Sequence, residues 1–120
     1  MKLKPNKNGY YYLVYKITNP FNGHFYIGAH ATTNPYDNYK GSGYALREAK
    51  RKYGGKHFIK EILFCLPDES SMYKKEAEIV TKEFIKRKDV YNETTGGVGA
   101  KHSKIKTELI AINGIFQTKK

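Results

Sequence analysis

Two tyrosines, Tyr15 and Tyr26, stand eleven positions apart with Asn22-Gly23 between them. An Asn-Gly pair supplies the positive φ angles of a hairpin turn, so the two rings come to lie on neighbouring strands. A phenolic hydroxyl that hydrogen-bonds water can relay a proton, and a fixed cation beside it can stabilise negative charge as it develops. Cations near the second tyrosine are His30, just past Tyr26-Ile27-Gly28, Lys40 beside a glycine, and Arg47. Further along, one helical stretch offers Glu76, Glu78 and Glu83. Carboxylates hold hard divalent cations. Cleaving a phosphodiester needs an activated water, charge neutralisation and help for the leaving oxygen, so it needs these groups to converge in space. The overall charge suits such a substrate. There are 22 Lys+Arg against 11 Asp+Glu, a formal net charge of +11, which favours a polyanionic partner, most simply nucleic acid.

The elements that must position these residues can be read from periodicity. Tyr11, Leu13, Tyr15 and Ile17 alternate with Tyr12, Val14 and Lys16, the period of a strand. Asn19-Pro20 ends it, because Pro has no ladder donor and restricts the residue before it. The second strand is expected through Phe25-Tyr26-Ile27, stopping at Gly28. Residues 29–43 read as a loop, with turn formers at Asn34-Pro35 and Asp37-Asn38 and a Gly41-Ser42-Gly43 run. Ser42 is expected to cap a helix over 44–53, with Leu46, Ala49 and Tyr53 on one face and Gly54-Gly55 as its stop. Residues 57–66 read as a third strand, apolar on both faces and therefore expected at the sheet centre. A second helix is expected over 71–87, carrying Tyr73, Ala77, Val80, Thr81 and Phe84 at helical spacing. The order β-β-α-β-α predicts a small α+β domain, a three-stranded sheet flanked by helices. The chain thus divides into a loose basic lead (1–9), a compact domain (10–97) and a basic tail (98–120).

The spacing of Val14-Tyr15 and Tyr26-Ile27-Gly28, with Lys16-Ile17-Thr18-Asn19 between, resembles the paired signature of the GIY-YIG nuclease family. The first half is degenerate, Leu13-Val14-Tyr15 for Gly-Ile-Tyr, and the second half is intact. The resemblance covers roughly residues 11–97. It implies an antiparallel three-stranded sheet and a metal-dependent DNA endonuclease of phage or homing type. It implies Tyr15 and Tyr26 as the catalytic tyrosines, and one metal-binding Glu on the second helix, in a Glu-x-Glu context upstream of a Tyr-Asn. Glu78 lies fourteen residues before Asn92 and takes that role, with Glu76 in reserve. A single carboxylate suits Mg²⁺ (or Mn²⁺), which keeps its waters and takes phosphate oxygens. Asn92 would organise the site around metal or phosphate; read from its type and place alone, it is an element-end Asn making turn bonds. The family's first-helix Arg is missing: at the corresponding distance from Tyr26 stands Tyr36, in the loop. The Tyr26-Ile27-Gly28-Ala29-His30 and Gly41-Ser42-Gly43 runs are similar to a phage-associated subgroup in which His30, Lys40 or Arg47 stands in. The side chains of Tyr15, Tyr26, His30 and Glu78 are expected to line one concave surface.

DNA would be held by phosphate contacts from Arg47, Lys50, Arg51, Lys52 and Lys56, and from a second cluster of Lys82, Lys86, Arg87 and Lys88. No apolar run approaches the ~18 residues of a membrane-spanning helix. No secretory segment opens the chain. One cysteine, Cys65, leaves no intramolecular disulfide or thiolate cluster and is expected as a small core residue. No small-molecule cofactor is expected. These features fit an intracellular protein, in the host cytoplasm if phage-encoded. In the tail, Gly97-Val98-Gly99-Ala100-Lys101-His102-Ser103 faintly resembles a modular DNA-binding repeat that follows GIY-YIG domains; otherwise the tail is simply basic. A second class of function fits the same residues. A catalytically silent nucleic-acid-binding module would keep the fold and the charge and use tyrosines as stacking platforms. The missing Arg favours it, whereas Tyr15, Tyr26 and Glu78 favour the enzyme.

Overall fold

The centre of the sheet is the first strand, not the third. In the computed structural model, which describes residues 3–97, β1 (Tyr11–Thr18) lies between β2 (Phe25–Thr32) and β3 (Ile59–Leu66). It pairs antiparallel with both, giving the order β2-β1-β3. Helices α1 (Tyr44–Tyr53), α2 (Glu69–Ile79) and the four-residue α3 (Lys82–Ile85) complete the small α+β architecture that the periodicity predicts. None of these helices is long and apolar enough to cross a membrane.

β1 is central because both of its faces are covered. Tyr15 and Ile17 pack with Leu46 and Ala49 of α1 and with Phe58. Val14 packs on the other face with Ile27, Met72 of α2 and Val80. The apolar residues of β3 suggested the same placement, but one-sided pairing leaves Ile59 and Phe64 exposed at the edge. Phe64 is roofed by Lys75, whose ammonium lies 4.9 Å from the ring centre. The β3 register also shifts between Val14 and Tyr15, so Leu63 is skipped and the alternation expected along this strand breaks.

β2 does not stop at Gly28 but continues to Thr32. Gly28 sits opposite Tyr15 in the ladder, and its role is space rather than termination. A Cβ there would lie 2.6 Å from Tyr15 Oη and 2.7 Å from a Tyr26 ring carbon. The outer edge of β2 is covered by the chain after α3. Phe25 N–H donates to Asp89 O at 2.9 Å, and Tyr91 N–H donates to Phe25 O at 2.7 Å.

α1 has the expected bounds and ends at Gly54, whose φ is 91°. Ser42 does not cap it: Gly43 is the N-cap and offers no side chain, and the Ala45 N–H is taken by Glu93 Oε1 at 3.1 Å. The helix expected over 71–87 is two helices. Asp68 and Ser71 form a capping box that starts α2 at Glu69. Thr81 then accepts the Phe84 N–H at 3.1 Å, so its hydroxyl starts a new helix instead of extending the old one. The lead is not loose where it is described. Asn6 Oδ1 accepts the N–H groups of Asn8 and Tyr10, and Cys65 Sγ donates to Lys4 O at 3.4 Å, placing that thiol half-buried under the lead rather than in the core. The DNA-binding repeat expected after Gly97 lies outside the described residues.

Because a methyl at Gly28 has no room between two rings, Gly28→Ala is expected to cost about 1–3 kcal/mol of stability by overpacking. Urea unfolding of the two proteins measures it.

Candidate active site

Tyr15 and Tyr26 face the α1 side of the sheet with ring centres 6.2 Å apart, and Tyr39 meets Tyr15 edge-on at 6.0 Å. The two tyrosines are not equivalent. Tyr15 is 1% exposed. Burial, reinforced by the neighbouring Tyr26 and Tyr39 hydroxyls, pushes its phenol far above the ordinary value, so it stays neutral. Tyr26 reaches a cleft of about 380 Å³, whose walls also include Ser42, Tyr73, Glu76, Asn92 and Glu93. Burial raises its phenol too, opposed by the Ser42 hydroxyl, which lies 3.4 Å away.

The α2 carboxylate at the cleft is Glu76, not Glu78. Met72, Glu76 and Val80 are spaced by four, so Glu76 lies on the inward side of α2 with the buried Met72. Two glycines hold it there. Gly97 N–H donates to Glu76 Oε1 at 3.0 Å, and Gly96 N–H donates to Val80 O at 2.8 Å. A Cβ on Gly96 would come within 2.6 Å of the Glu76 carbonyl oxygen. Burial raises the Glu76 carboxyl above its ordinary value, with the Gly97 N–H opposing. Glu78 projects to solvent, 53% exposed, and pairs with Lys75 at 3.0 Å. Among the described residues no group of three or more His, Cys, Asp and Glu side chains could hold a metal. Glu76 is the α2 carboxylate that shares the cleft wall with Tyr26.

Asn92 acts on the backbone. Its Oδ1 accepts the Ile27 N–H at 3.0 Å and its Nδ2 donates to Ile27 O at 2.7 Å. It therefore continues the cover of the β2 edge with its side chain and fixes the strand between Tyr26 and Gly28. Asn92 also lines the cleft.

The expected cations are dispersed, each for a visible reason. His30 stacks on Tyr39 at 4.0 Å, and its Nε2 lies 3.0 Å from Asp37 Oδ2. Asp37 also binds Lys60 Nζ at 3.0 Å and accepts from the Thr32 hydroxyl and the Tyr39 N–H. One carboxylate thus straps the 33–43 loop to β2 and β3 at once. Desolvation works to raise the Asp37 carboxyl. The hydrogen bonds from His30, Lys60, Thr32 and the Tyr39 backbone outweigh it and hold the group well below the carboxylate range. Lys40 Nζ donates to Phe58 O at 3.0 Å, and Lys50 Nζ donates to Lys40 O at 2.8 Å. Burial, then the Lys40 charge, lowers the Lys50 ammonium. Both lysines stitch the loop to the end of α1. Arg47 is exposed beside the Tyr44 ring, Arg51 pairs with Glu48, and Lys52 lies over Tyr53. Tyr15, Tyr26, His30 and Glu78 therefore do not share one concave surface: Tyr26 and Glu76 meet at the cleft, Tyr15 backs Tyr26, and His30 and Glu78 lie elsewhere.

Asp37 and Lys60 are invisible to local spacing, since their partners come together only across the sheet. Glu76 was legible, because the four-residue rhythm from Met72 to Val80 separates it from Glu78.

The chain is 51% identical over 89 residues to the candidate endonuclease segB of Enterobacteria phage T4, covering 74% of this chain and 40% of that protein. It is 49% identical over 88 residues to the candidate endonuclease segD of the same phage, covering 73% and 40%. To the phage's endonuclease segA it is 38% identical over 99 residues, covering 82% and 45%. The chain thus spans less than half the length of the curated relatives it matches. No family model and no solved structure matches it.

The depressed Asp37 carboxyl has a consequence for stability. A group whose pKa falls on folding stabilises above its unfolded value, here 3.8, and loses that contribution as pH drops below it. Asp37→Asn should cost about 2 kcal/mol at neutral pH, the scale of hydrogen bonds to charged groups. The gap from wild type should close as pH falls below 3.8, read from urea midpoints at several pH values.

Proposed function

We propose that this chain is a GIY-YIG-type nuclease domain of a phage or homing endonuclease, hydrolysing DNA phosphodiester bonds with a bound divalent cation, Mg²⁺ or Mn²⁺. The observation that carries the reading is the meeting of Tyr26 and Glu76 at one cleft, with buried Tyr15 behind and Asn92 holding the strand between. The endonuclease names of the phage relatives support it. So does the formal net charge of +11, which suits DNA inside a host cell.

The donor set fits a hard cation. Glu76 offers carboxylate oxygen and Tyr26 a hydroxyl, and among the described residues the cleft wall carries no thiolate or imidazole. Mg²⁺ is content with few protein ligands, filling its shell with water and phosphate oxygens. When bound, it supplies Lewis-acid neutralisation of phosphate charge. The chain's own residues do the rest. Gly97 N–H orients the Glu76 carboxylate. The Tyr26 hydroxyl positions the attacking water and relays its proton. Tyr15, buried behind Tyr26, backs its ring. The exposed Arg47 and Arg51 of α1 offer phosphate contacts beside the cleft.

The second reading, a silent nucleic-acid-binding module, draws on one observation. Among the described residues, none of those lining the cleft is a cation.

Cleavage of supercoiled plasmid at low salt, in Mg²⁺, Mn²⁺ or EDTA, separates the two. The wild type should nick or linearise the plasmid only with metal. Glu76→Gln should lose on the order of 100-fold or more, matching the several kcal/mol that a metal contributes. Glu78→Gln should keep wild-type activity. Apparent metal affinity should weaken as pH falls through the Glu76 pKa, above the ordinary 4.5, because the carboxyl must ionise to bind. No cleavage, with DNA bound equally by all three proteins, would select the binding module.

A further inference from the structure

The hairpin between β1 and β2 ends in an apolar ring that the fold does not cover. Phe21 is 60% exposed at its tip. One face of the ring stacks on Tyr53 of α1, at 5.8 Å and 16° between planes, and His57 meets it edge-on at 5.3 Å. The tip is held from within. Asn19, fully buried, accepts the Phe21 N–H at 3.0 Å and donates through Nδ2 to the Tyr91 hydroxyl at 3.0 Å. The exposed face is therefore presented by a fixed backbone. Its surroundings are cationic: Lys52 Nζ lies 5.2 Å from the Tyr53 ring centre, and exposed Lys56 is next to His57.

The position relative to the cleft is set by α1. The helix starts at Tyr44, beside the Ser42 and Gly43 of the cleft wall, and ends at Tyr53 under Phe21. Its ten residues rise about 15 Å at 1.5 Å each. Exposed Arg47 and Arg51 lie between the two ends. At about 3.4 Å per stacked nucleotide, that length corresponds to roughly four nucleotides of one strand.

We propose that the outer face of Phe21, backed by Tyr53 and flanked by Lys52, Lys56 and His57, is a nucleobase-stacking site for a single-stranded part of the DNA held at the cleft. The inference rests on the reading of the cleft as a DNA site. Every base has a π face, so an open phenyl ring binds without regard to sequence, while neighbouring ammonium groups meet the flanking phosphates.

The test is binding by the full chain, in EDTA and low salt, of a DNA duplex with a single-stranded overhang that fixes the register. One abasic position is moved stepwise along the overhang. Wild type should bind about 5- to 100-fold more weakly when the missing base is at one particular position. Phe21→Leu keeps an apolar side chain on Tyr53 and is checked for folding by its melting temperature. It should weaken binding to the intact overhang by a similar factor and make the scan flat, whereas Phe21→Trp should keep the position dependence. A flat scan in the wild type, or the same scan in wild type and Phe21→Leu, would overturn the stacking site. If those proteins still cleave plasmid alike, the nuclease reading stands without it. If the wild type binds no DNA at all, both readings fall.

Discussion

The contact on which the rest of this structure depends is the close approach of Tyr15 and Tyr26 over Gly28. Tyr15 is a buried phenol in a central strand, an environment that normally demands apolar side chains. It is tolerated because Gly28, across the ladder, leaves room for its hydroxyl, and because Tyr26, Tyr39 and α1 close around its ring. The result is a rigid wall behind Tyr26. The packing restrains the Tyr26 ring, and its hydroxyl lies 3.4 Å from Ser42 Oγ at the cleft.

The second half of the site is built by the chain that returns after α3. This segment covers the open edge of β2 with its backbone at Asp89 and Tyr91, then with the Asn92 carboxamide, and finally turns through two glycines onto the end of α2. Edge strands need such cover. Here the same residues that protect the edge also close the cleft and aim the Glu76 carboxylate. Fold protection and site construction are one set of hydrogen bonds, so a change in either is felt in both. On the opposite side, Asp37 performs the matching task for the loop, tying β2 and β3 through His30 and Lys60.

What the sequence showed, and what it hid, follows from the range of each signal. The hairpin, the bounds of α1 and the adjacency of Tyr15 and Tyr26 were legible because alternation, Asn22-Gly23 and Gly54 act within a few residues. Strand order was not, because an apolar strand reads the same whether both of its edges are paired or only one. Gly28 was read as a stop because a glycine without a visible neighbour looks like a turn; its partner is the Tyr15 ring, far back in the chain and directly opposite it across the ladder. Glu78 was preferred over Glu76 on its distance from Asn92, while the helical phase relative to Met72 decides which side chain faces inward. His30, Lys40 and Lys50 looked free as isolated cations, and only tertiary contact reveals that a carboxylate or backbone carbonyls occupy them.

On the proposed reading, Glu76, aimed by Gly97, holds the cation beside Tyr26. The most direct measurement is a crystal structure of the full chain soaked in Mn²⁺, with the metal located by its anomalous scattering. The account predicts a peak at the Glu76 carboxylate within the cleft walled by Tyr26 and Asn92. A peak at Glu78 on the outer face of α2, or at Asp37, with the cleft empty, would contradict it.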